Sequence, residues 1–286
     1  MTNVHGEVIG GCRLEAQVAV RNGYVRYRAC HERSGSLRIV VLTTSRIADS
    51  REQLQIFTEE VQIAGILRHT NITRVFEGGV WRGHGYVIQE YLPGGSLADL
   101  LRQFVPARRK LPVAFVLDLA RQLAEGLAHA HYCGVVHGRV EPGNIQLRRM
   151  AGSLLAKLDN FGLSRLCEEM LAVGGLNTTV HYLAPEQCYG ETSDARSDIY
   201  GLGLMLYEAL AGRPAFVGST YGEVVRRQMA GDMPPLHSIR PDLGPAVEQL
   251  IYACLAIEPA QRPQRADALA ADLARLIQPT MSAAAD

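Results

Sequence analysis

Gly134-Val135-Val136-His137-Gly138-Arg139-Val140-Glu141-Pro142-Gly143-Asn144 lies near the middle of the chain, and Asn160-Phe161-Gly162 and Ala184-Pro185-Glu186 follow it in that order. Immediately upstream, Leu117, Ala120, Ala124 and Leu127 recur on one face between Val113 and Tyr132, a spacing that predicts a buried helix. Downstream, Asp198 to Ala211 reads as a second apolar helix, closed by Gly212 and Pro214. Leu269, Leu273 and Leu276 mark a last amphipathic helix before a polar, alanine-rich tail.

Further upstream the character changes. Before Pro93-Gly94-Gly95 the pattern is strands around one helix, and after it helix dominates. Glu15 to Val20 and Tyr24 to Cys30 flank Asn22-Gly23, whose residue types tolerate the positive φ that a two-residue hairpin turn needs. Ser34-Gly35 marks another turn, and Leu37 to Leu42 is β-branched and strand-like. Leu54, Phe57, Val61 and Ala64 have helical spacing within Glu52 to Leu67. Ile72 to Phe76 and Tyr86 to Glu90 read as further strands, and Ser96 can cap a short helix running to Leu101 with Asp99 in its first turn. No repeat and no linker divides the chain.

Seven segments in this order resemble the bacterial serine/threonine protein kinase domain. Besides the three already quoted they are His69-Thr70-Asn71-Ile72, Glu90-Tyr91-Leu92 with Pro93-Gly94-Gly95-Ser96-Leu97, Asp198-Ile199-Tyr200-Gly201 and Gln261-Arg262-Pro263. The resemblance implies an α+β, bilobal fold: a small β-rich N-lobe with one main helix to about residue 90, a hinge at about 90–95, and a larger mostly helical C-lobe from about 96 to 278. Residues 279–286 are a polar tail. It also implies that His137 leads into the catalytic loop, that Glu186 pairs with Arg262, and that Asp198 accepts backbone N–H groups of that loop. These scaffold residues are kept.

The residues for chemistry are not. Phosphoryl transfer needs gripped phosphates, magnesium held by oxygen ligands, and an acceptor hydroxyl relieved of its proton. By the resemblance the three glycines of the phosphate loop fall on Ala19, Arg21 and Tyr24, so the loop reads as a tight hairpin with a bulky tip. The lysine of the third strand falls on Val41 (or Val40), and Lys110 and Lys157, the only lysines of the chain, lie elsewhere. Arg38 is the nearest cation, and Glu60, at the helix-glutamate position, loses its partner. The family's catalytic aspartate becomes Arg139 and its loop lysine becomes Glu141. A guanidinium cannot accept a proton at neutral pH, so base assistance worth roughly 10²–10⁴-fold is missing. Glu141 repels the phosphate it stands before, and the two inverted charges are expected to form a structural bridge. Asn144 remains from the metal pair, but its partner becomes Asn160. Magnesium prefers carboxylate and phosphate oxygens, and Asp159 is expected to point to the opposite face of an extended segment. Gln89 puts a polar lid where the family has an apolar gatekeeper.

Composition is consistent with one folded domain. Of 286 residues, 47% are apolar and 20% charged, enough apolar mass for a core. Lys+Arg and Asp+Glu are equal at 29, which excludes the strong basic field of a nucleic-acid binder. Six scattered cysteines with no Cys-x-x-Cys pair argue against a metal site or disulfide framework and for reduced thiols in a cytoplasm. Leu202 to Leu210 is too short to span a bilayer, and no signal peptide precedes Gly11. The sequence therefore predicts a cytoplasmic pseudokinase, a binding, scaffold or allosteric module for a protein partner such as an active kinase or its substrate. It predicts no metal and weak or absent ATP and magnesium binding. The alternatives are a divergent kinase or nucleotide-dependent transferase, and a nucleotide-binding module without catalysis. The apolar activation segment, Gly162 to Leu183 with Cys167, Met170, Leu171 and Leu176, is expected to pack inward or meet a partner.

Overall fold

A computed structural model describes residues 4–21, 23–104, 110–161 and 178–282. The chain divides into two compact units, one formed by residues 1–93 with 160–174 and the other by 94–159 with 175–286. The first is the sheet unit. Its strands are β1 (Val8–Ile9), β2 (Cys12–Arg21), β3 (Tyr24–His31), β4 (Leu37–Thr43), β5 (Val75–Trp81) and β6 (His84–Glu90). They form one antiparallel sheet in the order β1-β2-β3-β4-β6-β5. The β2–β3 hairpin closes through Arg21↔Tyr24 across the two residues at 22 and 23. One face carries the core: Leu14, Val25, Tyr27, Ala29, Val40, Leu42 and Ile88 are buried together, with Trp81 and Tyr86 against them.

Helix α1 (Arg51–Ile66) starts where Ser50 accepts the N–H of Gln53, relieving one unpaired donor of the first turn. It buries Phe57, Glu60 and Ala64. The strand expected at Ile72 to Phe76 begins instead at Val75 and runs to Trp81. Residues 69–72 are held in a turn, with the Asn71 N–H on His69 Nδ1 at 3.1 Å and the Ile72 N–H on the His69 carbonyl at 3.2 Å. Gly78-Gly79 then interrupts the apolar alternation that would have announced the rest of the strand.

The helical unit begins with α2 (Leu97–Phe104), longer than its predicted end at Leu101, and α3 (Val113–Tyr132). Ser96 Oγ accepts the Asp99 N–H at 3.2 Å, and Asp99 accepts both the N–H and the hydroxyl of Ser96. Helix α3 ends by a reciprocal backbone exchange, Gly134 N–H to His131 carbonyl and Val135 N–H to Ala130 carbonyl. That exchange needs a left-handed residue, and Gly134 supplies it at φ 74°. The chain is thereby turned into the 135–144 loop. A ribbon of β7 (Ile145–Met150) and β8 (Ser153–Leu158) follows, unforeseen because only its inner ends are apolar and buried.

Helix α4 (Ala195–Ala211) begins three residues before the predicted Asp198, because the Asp194 carboxylate caps it. Gly212 closes it in the left-handed region. Then come α5 (Tyr221–Met229), α6 (Pro245–Cys254) and α7 (Ala266–Ser282). Helices α4 and α7 both pack on α3, and Leu117, Leu123 and Leu127 of α3 are fully buried. Each such leucine contributes about 1.5–3 kcal/mol relative to exposure.

Gly94 donates its N–H to the Leu147 carbonyl at 3.0 Å, and a Cβ there would collide with that same oxygen. Gly94→Ala is therefore expected to cost about 1–3 kcal/mol, read as a lower thermal midpoint with unchanged helical circular dichroism at 25 °C.

Candidate functional site

The loop between α3 and β7 is built on one carboxylate. Asp198, in the first turn of α4, is 1% exposed and accepts the N–H groups of His137 and Gly138 at 2.8 and 2.7 Å, and His131 Nε2 at 2.8 Å. His137 is fully buried and bonded through both ring nitrogens, with Nε2 on the Asp159 carbonyl at 3.0 Å and Nδ1 accepting the Arg139 N–H at 3.1 Å. Burial pushes its pKa below the ordinary value, outweighing Asp198 and the Asp159 carbonyl. The neutral Nε2–H form fits both bonds.

Arg139 and Asn144 are buried, and Glu141 is half-buried. The Asn144 amide donates to the Arg139 carbonyl at 3.0 Å, and the Asn144 backbone bonds to Glu141 and Asp159 at 2.9 and 2.8 Å. Asp159 itself is 1% exposed. The loop thus brings His137, Arg139, Glu141, Asn144 and Asp159 together, with Asn144 serving as a backbone clamp.

Glu186 follows Ala184-Pro185 in a short helical turn, and both its oxygens meet Arg262, at 2.7 and 2.8 Å. Ser197 Oγ donates to it at 2.6 Å. Every remaining N–H of the Arg262 guanidinium also has a carbonyl partner, on Ala256, Ile257 or Arg196. Burial pushes the Glu186 carboxyl up, but the bonds from Arg262 and Ser197 outweigh it and hold the group below the usual range. Gln187 ties this turn to the loop by donating to the Gly138 carbonyl at 2.8 Å.

In the sheet unit the register decides which residues share a face. Ala19, Arg26, Val41 and Val87 lie in one cross-strand row over β2, β3, β4 and β6. Val41 and Gln89 are 1% and 2% exposed, and Gln89 shares this face by alternation from Val87. Glu60 is buried in α1. Arg38 pairs with Ala29, on the opposite face, and stacks 4.0 Å over Phe76, so it does not stand in for a lysine at 41. Tyr24 is 4% exposed and its hydroxyl accepts the Asn160 amide at 2.7 Å. Asn160 holds the left-handed conformation, φ 66°, one of the few that asparagine tolerates well. Tyr24 and Asn160, which the resemblance sets at the third glycine and at the metal aspartate, are therefore bonded to each other. The side chain of Arg21 and residues 162–177, with Cys167, Met170, Leu171 and Leu176, lie outside the described residues.

Sequence reasoning missed Arg26. Between Val25 and Tyr27 it reads as the outward polar residue of an alternating strand, yet it is 5% exposed. The sheet has two covered faces, and period-two patterning reports only one of them.

These side chains do not suit a magnesium-bound triphosphate held in the family manner. At the places where the resemblance sets the phosphate lysine and the metal carboxylate stand the buried Val41 and the Asn160 amide, the latter engaged by Tyr24, and among the described residues no three His, Cys, Asp or Glu side chains group to hold a metal ion.

A family model described as the protein kinase domain matches residues 22–273. A probable serine/threonine-protein kinase of Corynebacterium efficiens is 31% identical over 241 residues, 80% of this chain and 36% of that protein. Serine/threonine-protein kinase PknB of Mycolicibacterium smegmatis is 31% identical over 228 residues, 77% of this chain and 35% of its own length. The chain thus spans about a third of these relatives. PknL of Mycobacterium tuberculosis is 29% identical, covering 91% of this chain and 64% of itself. The crystal structure of the Mycobacterium tuberculosis PknI kinase domain superposes with a TM-score of 0.75 at 23% identity, over 96% of this chain and 99% of that one, which speaks to fold alone.

Two outcomes follow from this geometry. Glu186→Gln leaves the buried Arg262 guanidinium without its countercharge and is expected to cost about 3–5 kcal/mol, measured by urea denaturation. For His137, the folded pKa is below the unfolded value of about 6.5. Above that pH neither state is protonated. As pH falls below it the unfolded chain takes up a proton that the folded chain refuses, so stability falls by up to about 1.4 kcal/mol per pH unit until the folded pKa is reached. Denaturation between pH 7.5 and 5.5 should show this slope, and His137→Gln should flatten it.

Proposed function

The chain belongs to the protein kinase domain family, and from that premise we propose that it is a pseudokinase, a kinase-fold regulatory module without ordinary phosphoryl transfer. The observation that carries this reading is the 2.7 Å hydrogen bond from the Asn160 amide to the Tyr24 hydroxyl. Two positions that the family devotes to metal and phosphate satisfy each other inside the sheet unit. Arg139 supports the same reading, since it stands where the acceptor hydroxyl needs a carboxylate and cannot serve as base. The scaffold bonds of Asp198 and Glu186 keep the fold that such a module presents to a protein partner, an active kinase or its substrate. The described cysteines are free thiols, which supports a reducing, cytoplasmic setting. Among the described residues no helix is long and apolar enough to cross a membrane.

A second reading, a divergent serine/threonine kinase, is favoured by a specific finding. Relatives at 31% identity over most of the chain carry the names of serine/threonine kinases, and Asn144 and the buried Asp159 remain as oxygen donors. Incubation with γ-labelled ATP, magnesium or manganese and generic protein acceptors separates the two. No label above that of a heat-denatured control is expected. Label that is incorporated and then lost in Asp159→Asn would establish the kinase reading instead.

A further inference from the structure

Helix α5 buries Val224 and Gln228, one turn apart on the same face. A glutamine there is unusual chemistry for a helix face turned inward, because a buried amide is costly unless its donors and acceptor are met. Gln228 is 1% exposed, donates to the Leu183 carbonyl at 2.6 Å and accepts the Cys188 thiol at 3.5 Å. Burial pushes that thiol up to about 11, so it stays a donor. Tyr221, at the start of α5, donates its hydroxyl to the Cys188 carbonyl at 3.3 Å. His181 Nδ1 meets the Phe216 carbonyl at 2.8 Å, just ahead of the helix. The turn at 181–188 is thus fastened to α5 by directional polar bonds.

On its other side the same turn reaches the 135–144 loop through a second glutamine. Gln187 accepts the Ala184 N–H at 2.9 Å and donates to the Gly138 carbonyl at 2.8 Å. The backbone at Gly138 makes that bond possible. Its φ is 73°, a left-handed conformation that glycine adopts without a steric cost. In it the Gly138 N–H meets Asp198 at 2.7 Å while the carbonyl meets Gln187. From α5 to Asp198 the contacts are continuous: Gln228, the backbone of 183–188, Gln187 and Gly138. All of them lie within the helical unit. Hydrogen bonds weaken steeply as their angles open, so a displacement of α5 either breaks a glutamine bond or moves the loop.

We propose that Gln228 and Gln187 form a relay that couples the position of helix α5 to the backbone of the 135–144 loop. Tyr221 is its surface end, 44% exposed, and Gly138 its inner end. The relay acts on backbone, so it holds whether the loop supports phosphoryl transfer or not. Its failure would leave the labelled-ATP result standing, and the reverse.

Hydrogen exchange of the whole chain, followed by mass spectrometry, reads the coupling at the peptide covering 135–144. Gln228→Met removes the buried amide without touching that loop. Exchange of the loop peptide is expected to quicken about fivefold, the worth of one hydrogen bond. Peptides of α3 and of the sheet unit should stay within about twofold of the parent, because opening is local. Gln187→Met should quicken the same peptide by a similar factor. The double variant should match the faster single variant, since two cuts in one path do not add. Where the methionine variants do not fold, Tyr221→Phe decides: it removes only the surface hydroxyl and should quicken the loop peptide about twofold. An unchanged loop peptide in Gln228→Met or in Tyr221→Phe would overturn the proposal. So would equal quickening in α3 and the sheet unit, which marks a loss of global stability, or a double variant whose factor is the product of the two.

Discussion

The buried carboxylate of Asp198 is the contact on which the 135–144 loop depends. Two successive backbone N–H groups and an imidazole converge on it. Buried backbone donors left unpaired cost about as much as a lost hydrogen bond each, so the loop has one low-energy path. His137 extends that path to the carbonyl of Asp159, and Asn144 ties the far end of the loop back to Arg139 and Asp159. Gln187 joins the loop to the turn fixed by the Glu186–Arg262 pair. Side chains of this kind hold backbone, and they are indifferent to whether chemistry takes place above them.

That indifference lets the chain keep a kinase-domain fold with Arg139 and Glu141 in this loop. Arg139 occupies its place through its backbone, which bonds to His137 and Asn144. The same holds for Asn160, whose left-handed backbone suits asparagine and whose amide finds Tyr24. Each replacement gives a polar group a partner inside the protein, which lowers the cost of burying it.

The sheet unit adds a second constraint. Its core face is apolar, while the other face buries Val41, Val87, Gln89 and Arg26. A charged side chain on a covered face is costly unless matched, so the position of Arg26 is a chemical statement as much as a packing one.

Much of the fold was legible in the chain because its signals are local. The helical spacing of Phe57 and Ala64, the apolar stripe of Val113 to Tyr132 and the Gly212 stop each depend on a few neighbouring residues. The residues Val41, Arg139, Glu141 and Asn160 could be placed for the same reason, since they sit in or beside ordered motifs. The ribbon of Ile145–Met150 and Ser153–Leu158 was not, because its pattern is short and half exposed. Nor were the hydrogen bond between Tyr24 and Asn160 and the burial of Arg26. The sequence by itself determined which side chains are present at each motif and that the motifs follow the order of a protein kinase domain. Only the tertiary structure decided which of them meet, because strand register and the burial of a second sheet face are set by residues far apart in the chain.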